Sequence, residues 1–559
     1  MSDIEQIHRL GGELFGKRSM LLSLWQALAD QFYSERADFT TVRDLGREFA
    51  SNLMTSYPTM ARRDLGDAIG SMLRPTSKQW MHIRTQQWNK VDRDGKAWLE
   101  MATDRMTRAM YNRRTQFTRA TKEADHDFAT FGQAVIQITL NKAATGLLYR
   151  CWHLRDVAWR ENDEQIIDTI FRKWAPACVD LIKLFPNTVH ERVKERSVKT
   201  PYETVDVWHI IVPGEDYQGK GGKTFTTPYV SIYYDVTNKC VMEEVGVKDT
   251  QYIIPRWFTV SGTQYAYSPA TVAALPDARL IQSMTRTLLE AGEKAVTPPM
   301  IAVQEAIRGD VSVFAGGITY VDADYDERLG EVLRPMTQRI DGIPLGLEMT
   351  KDTREMIAQA FFLNKLALPQ PGNDMTAYEV GQRVQEYIRQ AMPLFNPLED
   401  QYNAPMCEMT FDVMQRAGAF GSPFDMPASL RGQKIEFFFE SPLHDAVGRE
   451  KGQRFLEVQS MLAQAITFDP STASIVDFPT TFRDVLDGIG IPAVWTRSEA
   501  DTKAIAEKQQ QQQQTQQLLA NMQAGAGVAK DLGTAGLGGQ STINRQNYAE
   551  VGQPAGPGA

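Results

Sequence analysis

Apolar residues recur at helical spacing through most of the first third of the chain. Leu21, Leu22, Trp25 and Leu28 make one stripe and Leu65, Ile69, Met72 and Leu73 another, so the sequence to about residue 170 predicts mainly helix. FGQAVIQITL, residues 131–140, alternates late and predicts a strand. The texture changes over residues 202–260. There ETVDVWHIIV, YVSIYYDV and QYIIPRWFTV concentrate β-branched and aromatic residues between Gly, Pro and Lys turns. This predicts a small β-rich module flanked by helices over 174–196 and 271–296.

The second flank has two faces. Ile281, Met284, Leu288, Ala291 and Ala295 share an apolar face, while Arg279, Gln282, Arg286, Glu290 and Glu293 form a polar stripe of mixed sign. Pro276 suits a first turn or a kink, and Thr297-Pro298-Pro299 ends the helix, which would span roughly 30 Å from Pro276 at about 1.5 Å per residue. Residues 300–332 read as short strands and turns. Asp352 and Glu355 predict a helix start, running through Met356, Ile357, Ala360, Phe361 and Leu363. A stiff, half-apolar loop, LALPQPGND, follows at 366–374, and Thr376 with Glu379 forms a capping box for the next helix. A strand over 434–439 and an amphipathic helix over 447–466 come later. The Gln run at 508–517 and the Gly/Ala/Gln-rich end beyond it predict disorder in the free chain, with a helix available to the Gln run if copies pack together.

At 559 residues the chain is too long for one core, and its 42% hydrophobic and 23% charged residues are those of a folded protein. Together the patterns give an α+β fold, mainly helical. No run of about 18 apolar residues predicts a membrane span, and the N-terminal MSDIEQIHRLGG has no apolar signal core. Cys151, Cys178, Cys240 and Cys407 are scattered and read as reduced thiols. With 60 Lys and Arg against 69 Asp and Glu, the net charge of −9 argues against a tight grip on nucleic acid but not against a surface that DNA slides past.

Motifs for chemistry fall short. GKGGKT at 219–224 has Tyr217 where a phosphate loop needs its first Gly, and it lies between strand-like segments, so a solvated hairpin loop is the simpler reading. The seven histidines show no ligand spacing, and ADHD at 124–127 has no second motif to complete it. Asp322, Asp324 and Asp326 read as turn residues. Arg105, Arg108, Arg113, Arg114, Arg119 and Lys122 make a basic run with one acid, Asp104; it reads as a solvated helix face, with phosphate contact as the alternative. No catalytic residue, cofactor site or metal site is expected.

Four stretches together resemble one family. They are Arg74-Pro75 with Trp80, then SGTQYAYSPATVAALPDARLIQSMTRTLLEAGEKAVTPPM at 261–300, NDMTAYEVGQRVQE at 373–386, and ESPL at 440–443. Their order and spacing are similar to those of the portal, or head-to-tail connector, proteins of short-tailed bacteriophages, across roughly residues 10–507. Ala266 departs from the family's usual Gly after Tyr265. The resemblance implies a portal fold of wing, stem, clip and crown, assembled as a homo-oligomeric ring, usually of twelve subunits, at one capsid vertex of the virion, made in the host bacterial cytoplasm. It implies a wing at 1–172, stem helices at 173–200 and 259–298, a clip at 201–258, and a second wing segment at 299–440. A crown at 441–507 and a Gln/Gly-rich extension at 508–559 complete the chain. Double-stranded DNA would pass through the ring. Partners would be the terminase large subunit, major capsid and scaffold proteins, tail adaptor or nozzle proteins, and internal ejection proteins. By the same resemblance 367–375 is the tunnel loop, giving Leu368, Pro369, Gln370, Pro371, Gly372, Asn373 and Asp374 as channel residues. Arg279, Gln282, Arg286, Glu290 and Glu293 are stem candidates for the channel. The alternatives are a packaging ATPase or nuclease, which the failed phosphate loop disfavours, and another structural component of the virion.

Overall fold

The computed structural model describes residues 3–42, 53–75, 78–88, 91–296, 298, 300–302, 333–335, 342–366, 397–422 and 426–439, with short helical pieces between 458 and 516. Met1–Ala493 form one compact unit and Val494–Ala559 a second. In the second unit the described residues are helical and exposed, and they include Gln511–Gln516 of the glutamine run. Of the amphipathic helix expected at 447–466, residues 458–463 are described and are helical; the rest lies outside the described residues.

Helices α1 (Ile4–Lys17), α2 (Ser19–Phe32) and α3 (Tyr57–Leu73) open the chain. Asp3 caps α1 by accepting from the Gln6 amide at 2.9 Å. The stripe expected on α2 buries Trp25, Leu28 and Phe32, and that on α3 buries Leu65, Ile69 and Leu73. Helices α4 (Arg93–Met110) and α5 (Phe117–Phe131) complete the first layer.

More strand lies in this region than the sequence predicts. β1 (Met81–Thr85) precedes α4; after α5 come β2 (Val135–Leu140), β3 (Leu147–Trp152), β4 (Val157–Glu161) and β5 (Ile167–Trp174). β6 (Val207–Pro213), β7 (Tyr229–Asp235) and β8 (Cys240–Val247) continue from β4 and β5 as one antiparallel sheet in the order β4-β5-β6-β7-β8. The β-rich module therefore crosses the boundary expected at 172. α1 covers one part of this sheet, packing Ile7 and Leu14 against Phe171, Trp208 and Ile210.

The stretch 173–200 is not the single stem helix expected. Its start belongs to β5, and the rest is two short helices, α6 (Cys178–Leu184) and α7 (Glu191–Lys199). Pro176 and Pro186 explain this, since each lacks a helical N–H and disfavours helix in the residue before it. Cys178, Leu181 and Val193 of this pair pack onto Val205, Val207 and Met242.

β9 (Tyr252–Ile253) joins β2 and β3 in a three-stranded sheet, and β10 (Phe258–Thr259) pairs with β11 (Ala266–Tyr267). Ala266 sits in this extended pair with its amide donating to the Gln133 side chain at 3.0 Å, so no glycine conformation is needed there. Helix α8 (Pro269–Val296) is 28 residues long and contains Pro276 in its interior. β12 (Met300–Ala302) and β13 (Leu333–Pro335) then pair antiparallel before α9 (Gly342–Ala360) and α10 (Leu363–Leu366). α9 starts nearly three turns before Asp352, with Pro344 in its first turn, so Asp352 and Glu355 lie inside the helix and cap nothing. α11 (Ala404–Arg416) and β14 (Ile435–Phe439), the last paired with β1, return the chain to the first layer.

The core is held at its centre by the ADHD motif of α5. Asp125, His126 and Asp127 are all buried, and each meets an arginine from elsewhere. Arg74 pairs with Asp125 and donates to the Asn403 side chain at 2.8 Å. Arg36 grips both oxygens of Asp127, at 3.1 and 2.7 Å. Arg62 lies 3.0 Å from His126 Nδ1, and a guanidinium only donates, so this nitrogen accepts and the ring is neutral. Burial, then Arg62, pushes the His126 pKa down to about 4. Gly66 makes room: a Cβ there would lie 2.3 Å from His126 Nδ1.

Replacing Arg74 with Met should cost about 3–5 kcal/mol, because Asp125 is left as a buried charge with no counter-charge. Urea unfolding should show R74M/D125L recovering much of that loss, since the pair is then removed together.

Candidate functional site

Among the described residues the longest helix is α8, which pairs with α9. Its root is fastened to α5. Ser268 Oγ donates to Ala129 O and Thr271 Oγ1 to Thr130 O, each at 2.7 Å, so the end of α5 and the start of α8 share hydrogen bonds. Gly132, at φ +74°, lets the backbones meet; a Cβ there would lie 2.1 Å from the Tyr267 carbonyl carbon.

α9 returns along α8. Gly346 lies against Leu288, and Thr353 reaches Met284 at 4.0 Å, so position rises on one helix as it falls on the other and the pair is antiparallel. Ile281 is fully buried, whereas Met284 and Leu288 are half-covered by α9. At the α5 end, Ile357 and Phe361 sink into the core, with Phe361 against Phe32 at 5.4 Å between ring centres.

Of the five stem candidates, four share an exposed face. Arg279, Arg286, Glu290 and Glu293 are open to solvent, two cations against two anions, and Arg286 pairs with Glu290 at 3.1 Å one turn on. Gln282 is separate. It is 9% exposed, its carbonyl accepts from the amides of Met54 and Thr55 at 2.6 and 3.0 Å, and its amide donates to Thr55 O at 3.0 Å. It clamps the segment before α3 and presents nothing outward.

Sequence reasoning missed an apolar surface on the same pair. Leu289 is 56% exposed, Val296 82%, Leu345 61% and Leu347 59%. The signal was present: Leu289 falls outside the stripe of Ile281, Met284 and Leu288, so it has no place in the same contact. Leu368, Pro369, Gln370, Pro371, Gly372, Asn373 and Asp374 lie outside the described residues, as do Asp322, Asp324 and Asp326.

The remaining chemical candidates are occupied. GKGGKT lies in the β6–β7 connection, where the Lys220 amide points at the Glu244 carboxylate at 3.3 Å and Tyr217 donates to it at 2.9 Å. A carboxylate thus stands where a phosphate would need to be. Among the described residues no group of three or more His, Cys, Asp or Glu is placed to hold a metal, and no helix is long and apolar enough to cross a membrane. What the α8–α9 pair offers is mechanical: a long rod with a charge-balanced face and exposed leucines.

The family model described as bacteriophage head to tail connecting protein matches residues 5–495. The chain is similar to a probable portal protein of Bordetella phage BPP-1, 23% identical over 446 residues and 78% of each chain. It is also similar to the portal protein of Salmonella phage epsilon15, 22% identical over 540 residues, covering 94% of this chain and 95% of that one. Among solved structures, a chain of the virion of a native gene transfer agent particle aligns at a TM-score of 0.33 and 10% identity, over 78% of this chain and 95% of its own; that overlap is too slight to argue from.

Replacing Gln282 with Ala should remove three hydrogen bonds to one buried backbone segment and cost about 1–3 kcal/mol. The midpoint of chemical unfolding measures this. Glu290→Gln, on the exposed face, should shift it by less than about 0.5 kcal/mol.

Proposed function

The chain belongs to the bacteriophage head-to-tail connecting protein family, and on that footing we propose that it is a portal protein, the ring at one capsid vertex through which DNA is packaged and ejected. The observation that carries this is the family match, which runs over residues 5–495 and so takes in the whole of the α8–α9 pair. The ring is built of about twelve copies. Its neighbours are capsid and scaffold proteins on one side, and first the terminase large subunit and then tail adaptor proteins on the other. It makes and breaks no bonds; the terminase supplies ATP-driven force and the ring supplies a symmetric passage.

The stem is assigned to α8 and α9, with the clip at 297–341 between them. This replaces the arrangement with stem helices at 173–200 and 259–298. The support is that α8 and α9 are a long antiparallel pair separated by a short β-pairing, whereas α6 and α7 are 7 and 9 residues long and β6–β8 continue the sheet of β4 and β5. The segment after α10, 367–375, is then the tunnel loop, and 441–507 the crown. Exposed Leu289 and Leu345 lie between neighbouring copies. A closed ring needs head-to-tail contacts between two unlike surfaces, which a two-helix stem with different sides provides.

The charge balance of α8 suits a passage. Each fixed cation on a phosphate adds salt-sensitive affinity, and many repeated around a ring would hold DNA in place. Arg279 and Arg286 set against Glu290 and Glu293 avoid that.

Electron micrographs of the purified protein test the reading: rings with a central hole are expected, and monomers or open filaments would refute it. Leu289→Glu with Leu345→Glu should give a folded protein that no longer closes rings. Deleting residues 369–373 should leave rings intact while lowering packaged DNA; a deletion that packages and retains DNA normally would remove the tunnel loop assignment.

A further inference from the structure

The basic run lies on α4, α5 and the corner between them, not on the α8–α9 pair assigned to the stem. Arg105 and Arg108 lie on α4, Arg119 and Lys122 on α5, and Arg113 and Arg114 in the corner between the helices, all exposed. Arg119 pairs with Glu123 at 3.0 Å, Lys122 with Asp67 at 3.4 Å, and Arg105 donates to Ala419 O at 3.2 Å. Arg108, Arg113 and Arg114 face no acid within ion-pair distance among the described residues. On a chain with a net charge of −9, three such neighbours depart from the general balance.

The corner that carries them is rigid. Thr115 is buried, and its hydroxyl is 2.6 Å from both Met110 O and Asn112 O. The Asn112 side chain accepts from the Arg114 amide at 3.0 Å, and Gln116 holds a left-handed backbone at φ 59°. Phe117 is buried beneath, edge-on to Tyr111 and Tyr149. The arginines thus project from a fixed mount, which reduces the entropy lost when they engage a partner.

We propose that this corner binds the phosphate backbone of double-stranded DNA, as a site separate from the stem face of α8 and from residues 367–375. Charge complementarity names the partner. Protein–protein interfaces draw most of their energy from aromatic and large apolar anchors. Among the described residues no large exposed apolar side chain occurs between Met60 and Ile166. A surface that offers guanidinium forks and no apolar anchor suits a polyanion, whose contacts are electrostatic and whose paired oxygens match arginine.

The test uses the purified full-length protein and relaxed, covalently closed circular DNA, which has no end to thread through a closed ring. Wild type should bind the circle at low salt. R108Q/R113Q/R114Q should flatten the slope of log affinity against log salt by about 2.7, so that the loss between 50 and 200 mM salt is roughly 40-fold smaller. Each single Gln substitution should take about a third of that change, and R108K/R113K/R114K should retain most of the binding. Thermal unfolding of the variants should match wild type. The proposal is overturned if wild type does not bind the circle, or if the folded triple Gln variant binds it with an unchanged slope. It is equally overturned if the variant loses only incorporation into heads, which would assign the corner to an acidic protein surface. A failure to form rings would count against the portal reading and leave this result standing.

Discussion

Burying Asp125, His126 and Asp127 in succession on α5 is the constraint to which the rest of the molecule answers. Two carboxylates and an imidazole cannot leave water without partners, and three arginines supply them: Arg36 after α2, Arg62 within α3 and Arg74 at its end. Arg62 also donates to Phe32 O at 3.1 Å, and Arg74 reaches Asn403 just before α11. Bonds between charged groups are directional in a way that apolar contacts are not, so helices α2, α3, α5 and α11 have one mutual arrangement that satisfies them. The aromatic rings of Tyr33 and Tyr402, with guanidinium carbons 4.0 and 4.7 Å from their centres, complete the shell.

Polarity is arranged differently outside. On α8 the charges of Arg279, Arg286, Glu290 and Glu293 cancel over about four turns, and at the α4–α5 corner they accumulate with one sign. Both surfaces rest on α5, α8 through hydrogen bonds to its last turn and the corner through Phe117 in its first. One helix therefore fixes a neutral surface and a cationic one, and the chemistry each can offer to DNA differs: little drag on the first, retention on the second.

What was legible in the sequence was local. The stripes of α2 and α3 and the length of the later helix could be read because helical periodicity needs only the residues in the helix. The helix expected at 271–296 is α8, which starts at Pro269; Pro276 sits at an exposed position with its ring toward solvent, and the helix runs through it. Strand pairing was far less visible. β1 is five residues whose partner, β14, lies at Ile435–Phe439, and no local pattern announces such a pairing. ADHD looked like a fragment of a site because its partners are 51, 64 and 91 residues away. Gln282 fitted the polar stripe by spacing and left it by hydrogen bonding, since its amide, unlike the neighbouring charges, can give to and take from a backbone at once. The family resemblance supplied the idea of a two-helix stem, but proline breaks and the sheet's extent decided which helices qualify.

The joint between α5 and α8 has a mechanical consequence. With Ser268 and Thr271 bonded to the last turn of α5, and no room for even a methyl group at Gly132, the root of α8 cannot slide independently of the core. Beyond Gln282, which is clamped to Met54 and Thr55, α8 continues as a lever of 14 residues, about 20 Å long, and a rotation of one degree at its base displaces the tip by roughly 0.4 Å. Pro276, about two turns from the root and short of the Gln282 clamp, removes one backbone hydrogen bond and so gives the helix a softer section between its two fastenings. Force applied at the tip is then divided between bending at that section and torque on the arginine-bound core.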